Sequence, residues 1–287
     1  MTANGSIDPG TRIGAVRLRV ADLEGVREFY ERALGLSETG AGEEEVARLG
    51  AGGRTLIELE GDPEAPGRPP RTTGLFHLAI LQPSRADLAK AIHRIAEAGA
   101  RLSGASDHLV SEALYLRDPE ANGIEIYRDR PREEWPVRDG QIQMDSLPLD
   151  LDGVLGELRD AEVGPTAEET RRGHVHLNVA DLGDAEDFYA GVLGFEVTVR
   201  GYPGALFVSA GGYHHHVGLN TWAGEGAPPA PEGSRGLRWY EILVPAEELD
   251  ALEGRLGDAG IEAKRDESGI HTRDPSGNGI LLKSAEA

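Results

Sequence analysis

HLNVADLGDAEDFYAGVLGF, residues 176–195, repeats RLRVADLEGVREFYERALGL, residues 17–36, at one fixed offset and without a gap. Val20, Asp22, Leu23, Phe29, Tyr30, Leu34 and Gly35 stand opposite Val179, Asp181, Leu182, Phe188, Tyr189, Leu193 and Gly194. Self-similarity of this kind means one supersecondary unit used more than once. In each copy alternating residues run into Ala-Asp-Leu, which reads as a strand followed by an Asp that caps a helix. The helix carries the Phe-Tyr and Leu-Gly pairs, and the Gly closes it. Short β-type runs such as Thr55 to Leu59 and Leu206 to Ser209 follow, separated by Gly-rich turns.

A fainter pair of stretches extends the repeat. GLFHLAILQP (74–83) resembles GLRWYEILVP (236–245), and DPEANGIEI (118–126) resembles DPSGNGILL (274–282). Between them lie amphipathic patterns that end at Ala98-Gly99 and Ala259-Gly260. The expectation is an α+β protein of four βαβββ modules that pair into two cup-shaped mixed sheets. Modules one and two occupy residues 12–130 and modules three and four residues 173–284. The intervening 131–172 is rich in acid, Pro and Gly and reads as a connector with one short helix from about Asp150 to Ala161.

Bulk composition excludes several classes. The 287 residues hold 29 Lys plus Arg against 50 Asp plus Glu, a formal charge of -21 that repels phosphate backbones and anionic membranes, so no nucleic-acid or membrane partner is expected. There is no cysteine, so disulfides, thiolate metal sites and cysteine nucleophiles are excluded, and any metal must sit on nitrogen and oxygen. MTANGSIDPGTR lacks a basic start followed by an apolar run, and no apolar stretch approaches the roughly 18 residues of a spanning helix. A cytoplasmic location is the expectation.

Across the modules, the first strands offer Arg17, His77, His176 and Trp239 at matching places. His77 and Glu125 begin and end module two, where module four has Trp239 and Leu281, so packing does not require the polar pair. Alternation sets His77 apart from Phe76, Leu78 and Ile80, and Glu125 apart from Ile124 and Ile126. A single inward histidine is more often hydrogen-bonded filler than a ligand, but coincidence at repeated positions favours function. His77, His176 and Glu125 match a two-histidine, one-carboxylate facial triad, which suits Fe(II) and leaves coordination positions open. His214-His215-His216 reads as part of the last strand of module three, with His215 alone on one face. Tyr115 and His108 precede Glu125 and would set a phenol and an imidazole beside the metal.

HVHLNVADL with FYAGVLGF, and NGIEIYRDRP, together resemble the vicinal oxygen chelate superfamily, which includes glyoxalases, bleomycin-resistance proteins and extradiol dioxygenases, over nearly the whole chain. GASDHLVSEALYLRDPEANGIEIYRDRP and ALFVSAGGYHHHVGLNTWAG resemble more narrowly its bacillary-type catechol 2,3-dioxygenases. That resemblance implies extradiol cleavage of catechol or a substituted catechol by dioxygen at mononuclear non-haem Fe(II), with Mn(II) as the alternative, giving a 2-hydroxymuconic semialdehyde. It implies two histidines and one glutamate as ligands, His215 as base and then acid, and Tyr115 and His108 as residues that orient substrate and oxygen. The better-known two-domain enzymes of this kind take their ligands from modules three and four, whereas here modules two and three supply them. Those central modules must then pair, within one chain or across a dimer, leaving a second cup without metal from modules one and four. Open strand edges make a homodimer the expected assembly.

Two other classes share the module. A glyoxalase-type isomerase or lyase would use a further carboxylate, Glu58 first, and consume no oxygen. A non-catalytic protein that binds small aromatic compounds would have no use for His77, Glu125 and His176 together.

Overall fold

Each module starts and stops where its local chemistry dictates. Asp22 and Asp181 accept hydrogen bonds from the N–H groups of Gly25 and Asp184, and Ser84 from that of Asp87, so three helices begin directly after these caps. Gly35 (φ 71°), Gly99 (φ 70°), Gly194 (φ 88°) and Gly260 (φ 69°) take the left-handed backbone past the helix ends.

The computed structural model describes residues 5–40, 45–158 and 163–285. Module one comprises β1 (Arg12–Val20), α1 (Leu23–Leu34), β2 (Ser37–Glu38), β3 (Val46–Ala51) and β4 (Arg54–Gly61). Module two comprises β5 (Gly74–Leu81), α2 (Arg85–Glu97), β6 (Gly104–Asp107), β7 (Ser111–Arg117) and β8 (Gly123–Asp129). The connector adds β9 (Val137–Arg138), β10 (Gln141–Ile142), β11 (Leu147–Pro148) and α3 (Leu151–Leu155). Module three follows with β12 (Arg171–Asn178), α4 (Leu182–Glu186, widening to π turns over Asp187–Val192), β13 (Glu196–Val199), β14 (Ala205–Ser209) and β15 (Val217–Asn220). Module four closes with β16 (Gly236–Val244), α5 (Leu249–Asp258), β17 (Ala263–Asp266), β18 (Gly269–Arg273) and β19 (Gly279–Ser284). This is the expected α+β class built from βαβββ modules with mixed sheets.

Two compact units divide the chain: the described residues of 1–16, 67–76 and 174–287 form unit one, and those of 17–66 and 77–173 form unit two. Unit one holds the strand orders β17-β18-β19-β16 and β13-β14-β15-β12, the last from His174 on; unit two holds β1-β4-β3-β2, with β1 from Arg17, and β11-β6-β7-β8-β5, with β5 from His77. In modules two, three and four the first strand pairs parallel with the last, and the remaining strands add antiparallel. Leu18, Leu49, Ile57, Leu59, Leu78, Ile80, Leu88 and Leu114 are fully buried in unit two, each contributing about 1.5–3 kcal/mol of transfer free energy.

The two sequence motifs meet in a lock that occurs once per unit. Asp118 Oδ1 accepts from Glu120 N and Asn122 N and its Oδ2 from Asn122 Nδ2, and Asp274 does the same with Ser276 and Asn278. The Phe-Tyr motif supplies the remaining donors: Tyr30 O–H to Asp118 at 3.3 Å and Tyr189 O–H to Asp274 at 3.1 Å. Burial raises both carboxyls above their usual range and lifts both phenols well above theirs, so the phenols keep the protons they donate. The lock fixes the turn that leads into β8, and with it Glu125.

The repeat also reaches beyond the stretches where identity is visible. Ile7 N donates to Gly194 O at 2.9 Å and Thr166 N to Gly35 O at 3.0 Å, while Arg255 Nη1 donates to Gly5 O and Arg94 Nη1 to Gly164 O. The backbone contacts recur at the offset of the sequence repeat, as do the Gly5 and Gly164 acceptors of the two arginines. Each unit is thus closed by a strap that leads, along the chain, into the first strand of the other half.

The connector is more structured than its composition suggests: β9 and β10 form a hairpin, and β11 pairs with β6. Its helix spans Leu151–Leu155, shorter than expected, with Asp150 as cap; residues 159–161 of the expected helix lie outside the described residues. The histidine run also departs from expectation. His214, His215 and His216 precede β15, in the bend that follows the positive-φ Gly211 and Gly212, so strand alternation does not govern their directions.

Candidate metal and substrate site

On unit two, Ala79 faces Glu125 across the β5–β8 pair and Glu125 faces Tyr115 across β8–β7. His77, Ala79, Leu81, Ala113, Tyr115, Glu125 and Tyr127 therefore share one sheet face. Ala79, Leu81, Ala113 and Tyr127 form its apolar end, with Tyr115 packed against it. At the polar end His77 Nε2 lies 2.9 Å from Glu125 Oε2, both side chains buried. The Tyr115 ring centroid is 5.7 Å from that of His77, and its hydroxyl is 2.6 Å from His108 Nε2. His108 Nδ1 lies 2.7 Å from the carbonyl oxygen of Asp145. A carbonyl only accepts, so Nδ1 carries the proton, and in the neutral ring Nε2 accepts from the Tyr115 hydroxyl.

On unit one, His176, Gly218 and Phe207 form a row across β12, β15 and β14. The His176 imidazole lies over the bare glycine: a Cβ on Gly218 would stand 2.9 Å from its Cγ. Phe76, Trp222 and Phe207 surround the ring at centroid distances of 5.2, 5.2 and 5.6 Å. His174, two residues earlier on the same face, has its ring 4.1 Å from that of His215. His215 also packs on Phe207 at 4.9 Å, and its Nδ1 is 2.8 Å from Nδ1 of His214. His216 does scaffold work: its Nδ1 accepts from Ala210 N at 3.1 Å and lies 3.1 Å from Ser209 Oγ.

The caps revise which residues are equivalent. His77 stands seven residues before the capping Ser84, and His174 stands seven before the capping Asp181, whereas His176 stands five before it. Strand register agrees: Ala79, two residues past His77, faces Glu125, and His176, two past His174, faces Gly218. The sequence repeat alone set His176 against His77; counting back from the caps sets His174 there. Sequence reasoning passed over His174, although that count could have found it. It also passed over Trp222, for which no repeat position gave a signal.

The donors fit a cation. Two ligand atoms about 2.1 Å from one ion and about 90° apart lie about 3 Å from each other, which is the spacing of His77 Nε2 and Glu125 Oε2. Imidazole and carboxylate without thiolate suit Fe(II) or Mn(II). Glu58, the extra carboxylate an isomerase would need, is paired with Arg17 at 3.4 Å and Arg48 at 3.1 Å.

Comparison with known proteins follows the same lines. The profile of the Glyoxalase/Bleomycin resistance protein/Dioxygenase superfamily matches residues 12–126 and 171–282. Catechol-2,3-dioxygenase of Bacillus subtilis (strain 168) is 43% identical over 275 residues, covering 94% of this chain and 96% of that protein. A crystal structure of a protein from B. subtilis subsp. subtilis str. 168, provisionally assigned as a dioxygenase, superposes with TM-score 0.70 at 12% identity over 99% of this chain and 87% of that one. Glyoxalase I of Zea mays gives TM-score 0.58 at 17% identity over 95% and 92%. At such identities the structural likenesses speak for the fold alone.

Proposed function

This chain belongs to the Glyoxalase/Bleomycin resistance protein/Dioxygenase superfamily, and on that footing we propose that it is an extradiol dioxygenase that opens the ring of catechol or a substituted catechol. The proposal includes one Fe(II) or Mn(II) ion held by His77, Glu125 and a β12 histidine. His174 takes that third place as the positional equivalent of His77, with His176, the histidine first singled out by the repeat, beside it. The observation that carries the reading is the buried His77–Glu125 pair at the head of the Tyr115–His108 chain, in a sequence so similar to a catechol-2,3-dioxygenase.

When bound, the ion supplies a chelation point for two vicinal oxygens and the redox chemistry that dioxygen needs. The protein's own groups handle protons and orientation. Glu125 brings one negative charge and the histidines none, which leaves the site net positive once a divalent ion is present and favours a catechol that sheds protons. The Tyr115 proton is engaged by His108 Nε2, so the phenol oxygen turns its lone pairs to the sheet face and accepts from a substrate hydroxyl. Uptake there lets the phenol proton pass to His108, whose Nδ1 stays tied to Asp145 O. His215, with Nδ1 held by His214, offers Nε2 as the atom that takes a proton from substrate and later returns it. Apolar neighbours Ala79, Leu81 and Ala113 exclude water from the same face.

The product on this reading is a 2-hydroxymuconic semialdehyde or a substituted relative. The protein would act in the cytoplasm as a homodimer, with modules 12–130 and 173–284 joined by 131–172; among the described residues no helix is long and apolar enough to cross a membrane. Oxygen uptake by anaerobically iron-loaded protein given catechol, followed together with absorbance in the yellow semialdehyde band, tests it. Equimolar oxygen consumption and yellow product are expected; no uptake with iron or manganese across several catechols would overturn the proposal.

A further inference from the structure

Among the described residues of unit one, Trp222 is the large aromatic that stays 46% exposed, while its inner side is fixed by its neighbours. Its Nε1 donates to Pro203 O at 3.1 Å and its backbone N to Asn220 Oδ1 at 3.0 Å. Gly204 (φ 66°) lies beneath, where a Cβ would come 3.1 Å from Nε1. Phe76 meets the indole at 5.1 Å and 73°, His176 at 5.2 Å and 52°, and Tyr202 at 6.4 Å and 55°. Phe207 completes the wall, edge-on to Tyr202 at 5.8 Å. Such tilted and edge-to-face contacts are the preferred geometry of packed rings. An indole held rigid with an open side has already met the ordering cost of binding, and rings offer dispersion and π faces to a flat apolar group and no charge to an anionic one.

The wall is continuous with the residues assigned to chemistry. Phe207 contacts His215, His215 contacts His174, and His174 stands two residues from His176 on one strand face, about 7 Å along the strand. A catechol whose oxygens lie at the His174–His215 end carries its ring over Phe207 and His176, and a substituent on that ring reaches Trp222. We propose that Trp222 is a specificity-determining residue that selects catechols bearing a hydrophobic, planar substituent over catechol itself; this rests on the catechol-cleaving reading above.

The test uses the full-length, iron-loaded protein with catechol and phenylcatechol as paired substrates. In Trp222→Ala the ratio of kcat/KM for phenylcatechol to that for catechol should fall at least 10-fold, through KM, and Trp222→Phe should restore most of it. A second reading needs no turnover: phenylcatechol should quench the tryptophan fluorescence of metal-free protein, and most of that quench should vanish in Trp222→Phe although Trp135 and Trp239 remain. Equal losses on both substrates in Trp222→Ala, or a quench unchanged in Trp222→Phe, would overturn the assignment. No oxygen uptake with either diol, with the Trp222-dependent quench intact, would overturn ring cleavage instead and leave the aromatic wall supported.

Discussion

Gly218→Ala sets a methyl carbon 2.9 Å from Cγ, 3.0 Å from Cδ2 and 3.1 Å from Nδ1 of His176. Carbon pairs prefer roughly 3.5–4.0 Å, so the imidazole must move by about 0.6 Å or more. It has little room to do so, with Phe76, Trp222 and Phe207 all at ring distances under 6 Å. Overpacking of this kind costs about 1–3 kcal/mol. The backbone at Gly218 lies outside the left-handed region, so alanine also removes unfolded-state freedom and returns up to about 1 kcal/mol. The net expectation is a loss of about 1–2 kcal/mol by urea denaturation. The decisive comparison is with His176→Ala and the double variant. If the clash is the cause, the second substitution gives the new methyl somewhere to sit, and the double variant is more stable than the sum of the singles by about 1 kcal/mol or more. Additivity within about 0.5 kcal/mol, the behaviour of independent sites, would refute the packing of His176 over Gly218.

Other substitutions address the scaffold and the proton chain. Gly35→Ala and Gly194→Ala each add a Cβ at positive φ, 2.8 Å from Thr166 N and 2.5 Å from Gly5 O, and each should lose about 2 kcal/mol or more in chemical denaturation. Gly201→Ala, with nothing within 4 Å, should stay within about 0.5 kcal/mol of the parent. Tyr115→Phe should lower kcat/KM on catechol by about 10²-fold, while metal content by mass spectrometry stays at the parental level. The Asp266 carboxyl, held by the Ser268 hydroxyl and N–H and by His271, should titrate at about 2 by NMR, and Ser268→Ala should bring it back toward 3.8. Because this pKa is depressed, the stability it contributes is complete above the unfolded value and disappears as pH falls toward 2.

Much of the fold was legible because the chain writes its module more than once. Asp22, Asp181, Gly35 and Gly194 announced two helices, and Gly99 and Gly260 two helix ends. The Phe-Tyr and Asp-Pro-x-x-Asn-Gly motifs were visible as repeats, but that Tyr30 closes on Asp118 and Tyr189 on Asp274 is a tertiary contact that no local pattern encodes. The straps were hidden because GSIDPGT and GPTAEET share backbone contacts, and backbone hydrogen bonds to Gly194 and Gly35 constrain side chains weakly. The histidine run misled because apolar alternation resumes only at Val217, after two positive-φ glycines have turned the chain. In the candidate site, His77 and Glu125 stood out through their absence from module four, and the structure brings that pair together. His174 did not, because two histidines two residues apart share a face, and only the distance to the helix cap separates them.

Metal content of the anaerobically iron-loaded protein and its variants tests the central assignment most directly. One ion per chain is expected in the parent and in His176→Ala, and loss of the ion in His77→Ala, Glu125→Ala and His174→Ala, each still folded by circular dichroism. Full retention of iron in Glu125→Ala or His77→Ala would contradict it, and loss in His176→Ala with retention in His174→Ala would return the third ligand to His176.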